Sequence, residues 1–501
     1  MKFSLIWAAL VNPSKLFSTA LTLIVVDRRP DTGTSSDASF YPPLDAISYI
    51  TNAKHGTYGG IFTAPADEET EKIDGTYNYC TMPHPSPDLY QLPSPVREGS
   101  VEAQLIYVEY MQRHQRRTPY NILPGGEDQE YHCDNVHITA GSSSADSSLI
   151  PVPMYTETYK DSKNPFTRQY VNGTCQYPQL TLGGVLDGYR HGRDLWAVYG
   201  EQMKLLPSSP DTNNVWFRAS SSPLTHASAS AVLRGIWPDY DGSLPLHQQA
   251  AGIDTVDQGF PCPSRSQLLS TIQSTDEWNQ HLAATQDLRD RLAIMFNANR
   301  TDWMSTFDHF ADNFQGRLCN GYRLPCSLDD PSKCAMEDDA YAVFRAGDWE
   351  WNYWWNRNQK ASHYIQLTEG LFLQEIALRL TAIKEGTLDR VYSHTFIHDG
   401  DLGPILGALG IQQLRWPGMA ANIAFEVWYV KYSVGPSDLI WKSSPDFLTR
   451  QTSDSEFYVR VLYSGHPLRT SEGKLDWVPF SKLIQRLNKH VPQDIVGMCS
   501  S

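Results

Sequence analysis

Basic residues are in short supply. Forty-one Lys and Arg stand against 56 Asp and Glu, a formal net charge of −15, and a surface that follows a phosphate backbone needs clustered cations to displace counterions. Nucleic acid is therefore not an expected partner. A large polyanionic substrate is also disfavoured, unless a local basic pocket is set into the acidic whole. No two cysteines show the C-x-x-C spacing usual in structural zinc sites. Neither apolar run near the N-terminus approaches the roughly 20 residues that a spanning helix needs, so no stable membrane span is expected. No clean small-x-small cleavage site follows the first of those runs.

What the chain does have is length and aromatic bulk. Its 501 residues suit about two to three domains, or one core carrying an insertion. Hydrophobic residues make up 41% and charged residues 19%, with 14 Trp and 26 Tyr, which is the composition of a globular protein rather than a disordered or fibrous one. The eight cysteines (Cys80, Cys133, Cys175, Cys262, Cys319, Cys326, Cys334 and Cys499) read as disulfides whose pairing the spacing leaves open. Asn-x-Ser/Thr sequons at Asn172 and Asn299 point to the same oxidising compartment.

The N-terminus opens like a signal peptide, with Lys2 before the apolar run Phe3 to Val11. A second apolar run, Leu21 to Val26, is cut off from the first by Asn12, Pro13 and Lys15. Residues 1–26 are read as a signal or a misassigned start, and the expected location is the secretory pathway or outside the cell. Residues 27–100 are read as an N-terminal extension. Its first part, to about Asp45, is rich in Ser, Thr, Pro and Asp and predicts a loosely packed lead-in ahead of the fold.

Three segments read as strands that stop at a charged or polar cluster: Ala103 to Gln112, Asn214 to Phe217 before Arg218, and Val391 to Ile397 before His398. Between the first two lie a Ser-rich loop, Ser142 to Ser148, and the stretch Leu180 to Tyr199, whose apolar residues recur at helical spacing. A helix between strands suggests a parallel crossover and an α/β fold. Ser266 to Asn297 and Asp338 to Lys384 are helical in pattern. The chain therefore divides into an α/β core over 101–235 and 386–501 and a helical cap inserted over 236–385 that would roof the site. Trp349, Trp351, Trp354 and Trp355 fall in that insertion and read as its core rather than as a substrate platform.

The chemistry concentrates in Arg113-His114-Gln115-Arg116-Arg117-Thr118-Pro119, directly after the first strand. Three guanidinium groups around one imidazole repel one another, whereas a phosphate accepts several of their hydrogen bonds at once. In open α/β sheets ligands bind beyond the carboxyl ends of the strands, where this cluster falls. The pattern resembles the R-H-G-x-R-x-P signature of the histidine phosphatase superfamily, with Arg113, His114, Arg117 and Pro119 in register and Gln115 in place of the glycine. Glycine allows backbone angles that glutamine resists, so Gln115 bears on the geometry of this loop.

A second Arg-His-Gly, at Arg190, His191 and Gly192, has Asp194 and Trp196 where the signature has Arg and Pro. It reads as helix interior, and His191 as structural. His398-Asp399, closing the third strand, resembles the family's H-D motif. Arg218 resembles its strand-end arginine, although Leu224 stands where the family often has a further Arg before the threonine at Thr225. The helix after the first motif and the segment Trp416 to Trp428 extend the likeness from about Tyr107 to Tyr432. Glu426 and His394 lie near motif residues and read as structural, with His394 on the same strand face as His398.

The resemblance implies a phosphoglycerate-mutase-like three-layer core with a mostly parallel sheet and an inserted helical cap. It implies an acid phosphatase of the acid phosphatase and phytase branch, fungal-like, that hydrolyses phosphate monoesters. His114 would be the phosphate-accepting nucleophile and Asp399 the proton donor, with Arg113, Arg117, Arg218 and His398 holding the phosphate and no metal or other cofactor. The partner is a small phosphomonoester; the oligomeric state stays open. The alternatives are a phytase or sugar-phosphate-specific phosphatase of the same branch, a phosphoryl transferase of the same fold, and a catalytically impaired phospholigand-binding protein. Loss of His114 or Asp399 would have favoured the last, and both are present.

Overall fold

The computed structural model describes residues 36–55, 75–140, 173–431 and 456–500, together with 152, 154–159, 161 and 163–166. The N-terminal segment 1–26, the Ser-rich loop and Asn172 lie outside the described residues; Asn299 is exposed.

The apolar run after residue 102 forms β1 (Ala103–Arg113). The main sheet is completed by β2 (Val215–Ala219), β3 (Leu246–His247), β4 (Tyr392–Ile397), β5 (Asn422–Val430), β6 (Phe457–Tyr463), β7 (His466–Pro467) and β8 (Val478–Pro479). The order across it is β8-β6-β5-β1-β4-β2-β3, with β7 pairing β6. β1, β4, β2 and β3 run parallel, and β5 turns back against β1. β6 is antiparallel to β5, so it runs with β1, and five of the eight strands share one direction. β4 lies between β1 and β2, so the three strands expected to be parallel end side by side.

Alternation along each strand divides the core into two faces. Val108 and Tyr110 of β1, Ala424 and Trp428 of β5, and Leu462 of β6 pack with Ala229, Val232 and Ile236 of the helix Pro223–Ile236 (α2) and with Leu195 at the end of Leu182–Leu195 (α1). Tyr107, Met111, Phe425 and Val461 point the other way. They join the helices Asp308–Leu318 (α3), Glu337–Asn352 (α4) and Gly370–Lys384 (α5), which belong to the helical stretch between β3 and β4. The result is a three-layer α/β arrangement with a mostly parallel central sheet.

The described part of the stretch to Asp45 belongs to the fold rather than preceding it. Phe40 and Leu44 are buried, as are Tyr77 and Tyr79 farther along. Arg415 donates to the Ser39 carbonyl at 2.6 Å and to Asp348 at 2.8 Å. A composition rich in Ser, Thr and Pro is thus no sign of exposure there. Four disulfides pair all eight cysteines: Cys80–Cys319, Cys133–Cys175, Cys262–Cys499 and Cys326–Cys334. The first and third close loops of more than two hundred residues, the kind that most restrict the unfolded chain. Trp349, Trp351, Trp354 and Trp355 are all buried, as insertion core would be.

Candidate functional site

β1 stops at Arg113 because the next residues carry charge that cannot continue a strand buried on both faces. The backbone N–H of His114 still bonds the Ile397 carbonyl at the end of β4 (3.2 Å), and that of Ser220 bonds the Phe396 carbonyl (3.3 Å). Three parallel strand ends thus bring His114, Ser220 and His398 to one edge. The helix Asp399–Ala408 (α6) starts there, with the Asp401 carboxylate accepting the N–H of His398 at 2.8 Å. A helix N-terminus facing the same edge favours an anion.

His114 is buried, and its ring lies 5.5 Å from that of His398. Nδ1 faces the Gln115 carbonyl at 3.0 Å, which assigns the proton to Nδ1 and makes Nε2 the unprotonated, accepting nitrogen. Nε2 accepts a hydrogen bond from Nε of Arg117 at 3.4 Å. Burial first, and then the charges of Arg117, Arg113 and His398, hold the His114 imidazole well below its ordinary pKa, although the Gln115 carbonyl opposes this. The ring therefore resists protonation more than a free imidazole does. His398 is also pushed down, mainly by burial, against the carboxylates of Asp257 and Asp399; its Nε2 lies 3.0 Å from Oγ of Ser220.

Arg113 holds Oδ2 of Asp399 at 2.8 Å and donates to the Pro417 carbonyl at 2.5 Å. The indole N–H of Trp416 donates to the same Oδ2 at 2.7 Å. Burial pushes the Asp399 carboxyl up, but Arg113, Trp416, Arg117 and His398 together outweigh it and the net direction is down. Without substrate, Asp399 is an anion.

The structure brings Arg113, His114, Arg117, His398 and Asp399 together. The guanidinium of Arg218 points elsewhere: it bonds Asp254 at 2.7 Å, Thr255 at 2.8 Å and Glu375 of α5 at 2.5 Å, and packs over Phe372. This corrects its place in the clamp. Arg218 pairs in register with Thr395, three residues before His398, and alternation turns it toward α5 and the loop at Asp254 and Thr255. Arg116 likewise faces Asp187 of α1 rather than the site.

Gln115 is not in the left-handed region, so its backbone carries no strain of the sort that glycine relieves. Its amide is buried without a hydrogen-bond partner, beside Gly188 and Ala231 where α1 meets α2.

Residues that no local pattern announced complete the site. Asp312 of α3 binds Nη2 of Arg117 at 2.8 Å and accepts the backbone N–H groups of Tyr120 and Asn121, fixing the loop from the cap side. Trp416 lies buried, stacked on Trp351 of α4. Asp257 lies 3.8 Å from Nε2 of His398. His191 sits inside α1, bonded to Tyr110 at 2.7 Å and stacked on His84. Glu426 accepts from Tyr199 at 2.8 Å and lies 3.6 Å from Arg460, while His394 is bonded to Tyr392 and stacked on Phe396.

The family model described as histidine phosphatase superfamily (branch 2) matches residues 104–464. The chain is 24% identical to 2-phosphoxylose phosphatase 1 of Danio rerio, over 79% of this chain and 78% of that one. It is 23% identical to counting factor 60 of Dictyostelium discoideum, over 70% and 80% respectively. Among solved structures, the phytase of Klebsiella sp. ASR1 aligns with a TM-score of 0.48 at 15% identity, covering 78% of this chain and 97% of that one.

Proposed function

The chain belongs to the histidine phosphatase superfamily, branch 2, over residues 104–464, and on that premise we propose that it is a phosphate-monoester hydrolase in which His114 is phosphorylated and Asp399 moves the proton. The observation that carries this reading is one buried imidazole whose pKa is held down and whose unprotonated Nε2 faces Arg117, beside two guanidinium groups, with a carboxylate ion-paired to one of them.

A phosphomonoester enters with its oxygens toward Arg113, Arg117, His398 and the N-terminus of α6. Arg113 is shared with the phosphate, so Asp399 loses its counter-charge and takes the proton that a monoanionic ester carries. Nε2 of His114 bonds to phosphorus as the ester P–O bond breaks, and the Asp399 proton goes to the departing alcohol oxygen. The guanidiniums stabilise the equatorial charge through position rather than bonding. Water then attacks the phosphohistidine, Asp399 takes its proton, and inorganic phosphate leaves. These steps use this chain's side chains alone.

The four disulfides and the exposed sequon at Asn299 support passage through the secretory pathway. The test is hydrolysis of a chromogenic phosphomonoester from acid to neutral pH, wild type beside His114→Ala. Acid activity in the wild type that the variant lacks is expected. Phosphate binding without turnover by folded wild type would instead favour the ligand-binding alternative.

A further inference from the structure

Side-chain exposure rises across the site from Arg113 at 0% through His398 at 16% and Asp399 at 23% to Asp257 at 53%. Asp257 is therefore the residue of this group nearest the mouth. It comes from the loop Asp254 to Gln258, between β3 and the cap helices, and Oδ2 lies 3.8 Å from Nε2 of His398.

The loop is held in place. Asp257 and Gln258 both adopt left-handed backbone, φ 55° and 50°. The Asp257 N–H donates to Oδ1 of Asp401 at 2.6 Å, and Asp254 is tied to Arg218. Two successive left-handed non-glycine residues are costly and persist only where their surroundings fix them. The cations beneath this mouth are already engaged: Arg113 by Asp399, Arg117 by Asp312, and Arg218 by Asp254 and Glu375. One phosphate can compete for Arg113 and Arg117. A second anionic group on the same substrate would meet the carboxylate of Asp257.

Resting on the phosphatase reading above, we infer that Asp257 is a specificity-determining residue. It turns away esters that bear another anionic group beside the scissile phosphate and accepts a hydrogen bond from a hydroxyl at that place. The favoured substrates are monophosphates of polyhydroxy alcohols. Burial, opposed by His398 and assisted by Asp399 and Asp254, raises the pKa of Asp257, so this discrimination weakens as acid protonates it. Its backbone also faces the Asp401 carboxylate.

The experiment compares myo-inositol 1-phosphate with myo-inositol hexakisphosphate as substrates for the full chain. Wild type has the higher kcat/KM for the monophosphate. In Asp257→Asn the ratio falls about tenfold, the size of one charge repulsion in a half-solvated mouth, chiefly through better use of the hexakisphosphate. Going from about pH 6 to about pH 4 narrows the ratio more in wild type than in Asp257→Asn, which has no carboxyl there to titrate. Asn tolerates the left-handed angles, and Asp257→Gly serves as a second variant free of that constraint. An unchanged ratio in both variants, with wild type active, overturns the inference and leaves the phosphatase reading standing. No phosphate release from either ester by folded wild type removes both.

Discussion

Trp416 donates its indole N–H to the oxygen of Asp399 that also faces Arg113, at 2.7 Å, while the other oxygen accepts the Gly400 N–H of its own helix at 3.0 Å. Once a phosphate has taken over Arg113, this indole is what holds the carboxyl in place. Its ring is fixed by the stack on Trp351 and its backbone N–H by Asp348 at 3.1 Å, so α4 orients this carboxyl.

Trp416→Phe keeps the ring stack and removes the N–H. That N–H favours ionised Asp399, so its loss raises the carboxyl's pKa and the protonated donor survives to higher pH. The alkaline limb of kcat is expected to move up by about one pH unit, the size of one charge-assisted hydrogen bond. At acid pH, kcat falls about tenfold for alkyl phosphates and little for p-nitrophenyl phosphate, whose leaving group needs no proton. Rate profiles of the two esters check this; an unmoved limb with equal losses on both assigns Trp416 to packing alone.

His114 sets the opposite limb. Its pKa is held well below the ordinary histidine value, so the ring stays neutral and able to attack as pH falls through the range in which a free imidazole is already protonated. Activity is expected to persist into acid, and the acid limb of kcat/KM is expected to lie at higher pH in Arg117→Ala than in wild type, because removing a nearby positive charge lets the imidazole protonate more readily. The position of the acid limb in Arg117→Ala against wild type is the measurement.

Arg218 and Arg117 are expected to separate in their effects. Arg218→Met leaves Asp254 without its counter-charge in a buried setting and is expected to cost about 3–5 kcal/mol of stability, read as a lowered Tm. In the folded fraction, inhibition by inorganic phosphate weakens by less than about threefold. Arg117→Ala weakens it by about tenfold or more through the lost charged hydrogen bond. If the two variants weakened phosphate equally, Arg218 would belong to the clamp after all.

The strand-end positions of Arg113, His114, His398 and Asp399 were legible in the sequence because each follows an apolar run whose end is marked locally. The direction of Arg218 was not. Its partners stand at 254, 255 and 375, and only the pairing of β2 with β4 determines which layer it faces. Asp312 was hidden for the same reason, reaching Arg117 from α3 at a separation of 195 residues, whereas Trp416 opened a segment of the family likeness but gave no sign that its indole reaches Asp399. The burial of Phe40 and Leu44 was masked by composition, since Ser, Thr and Pro describe backbone regularity and carry no information about what packs over them.

Gln115 had marked the loop as a point of strain, and the structure moves the cost from backbone to side chain. The backbone is ordinary, while both polar atoms of the amide are buried with no partner, against Gly188 and Ala231 at the α1–α2 contact. An unsatisfied buried amide costs on the order of 1–3 kcal/mol, and an apolar side chain of similar length removes that penalty while filling the same space. Gln115→Met is therefore expected to raise Tm and to leave the pH profile where it was, whereas Gln115→Gly trades the penalty for a cavity and a more flexible loop. A lowered Tm in Gln115→Met, measured by thermal unfolding beside the activity profile, would mean that the amide has a partner, such as an ordered water, and that the glutamine is there to hold it.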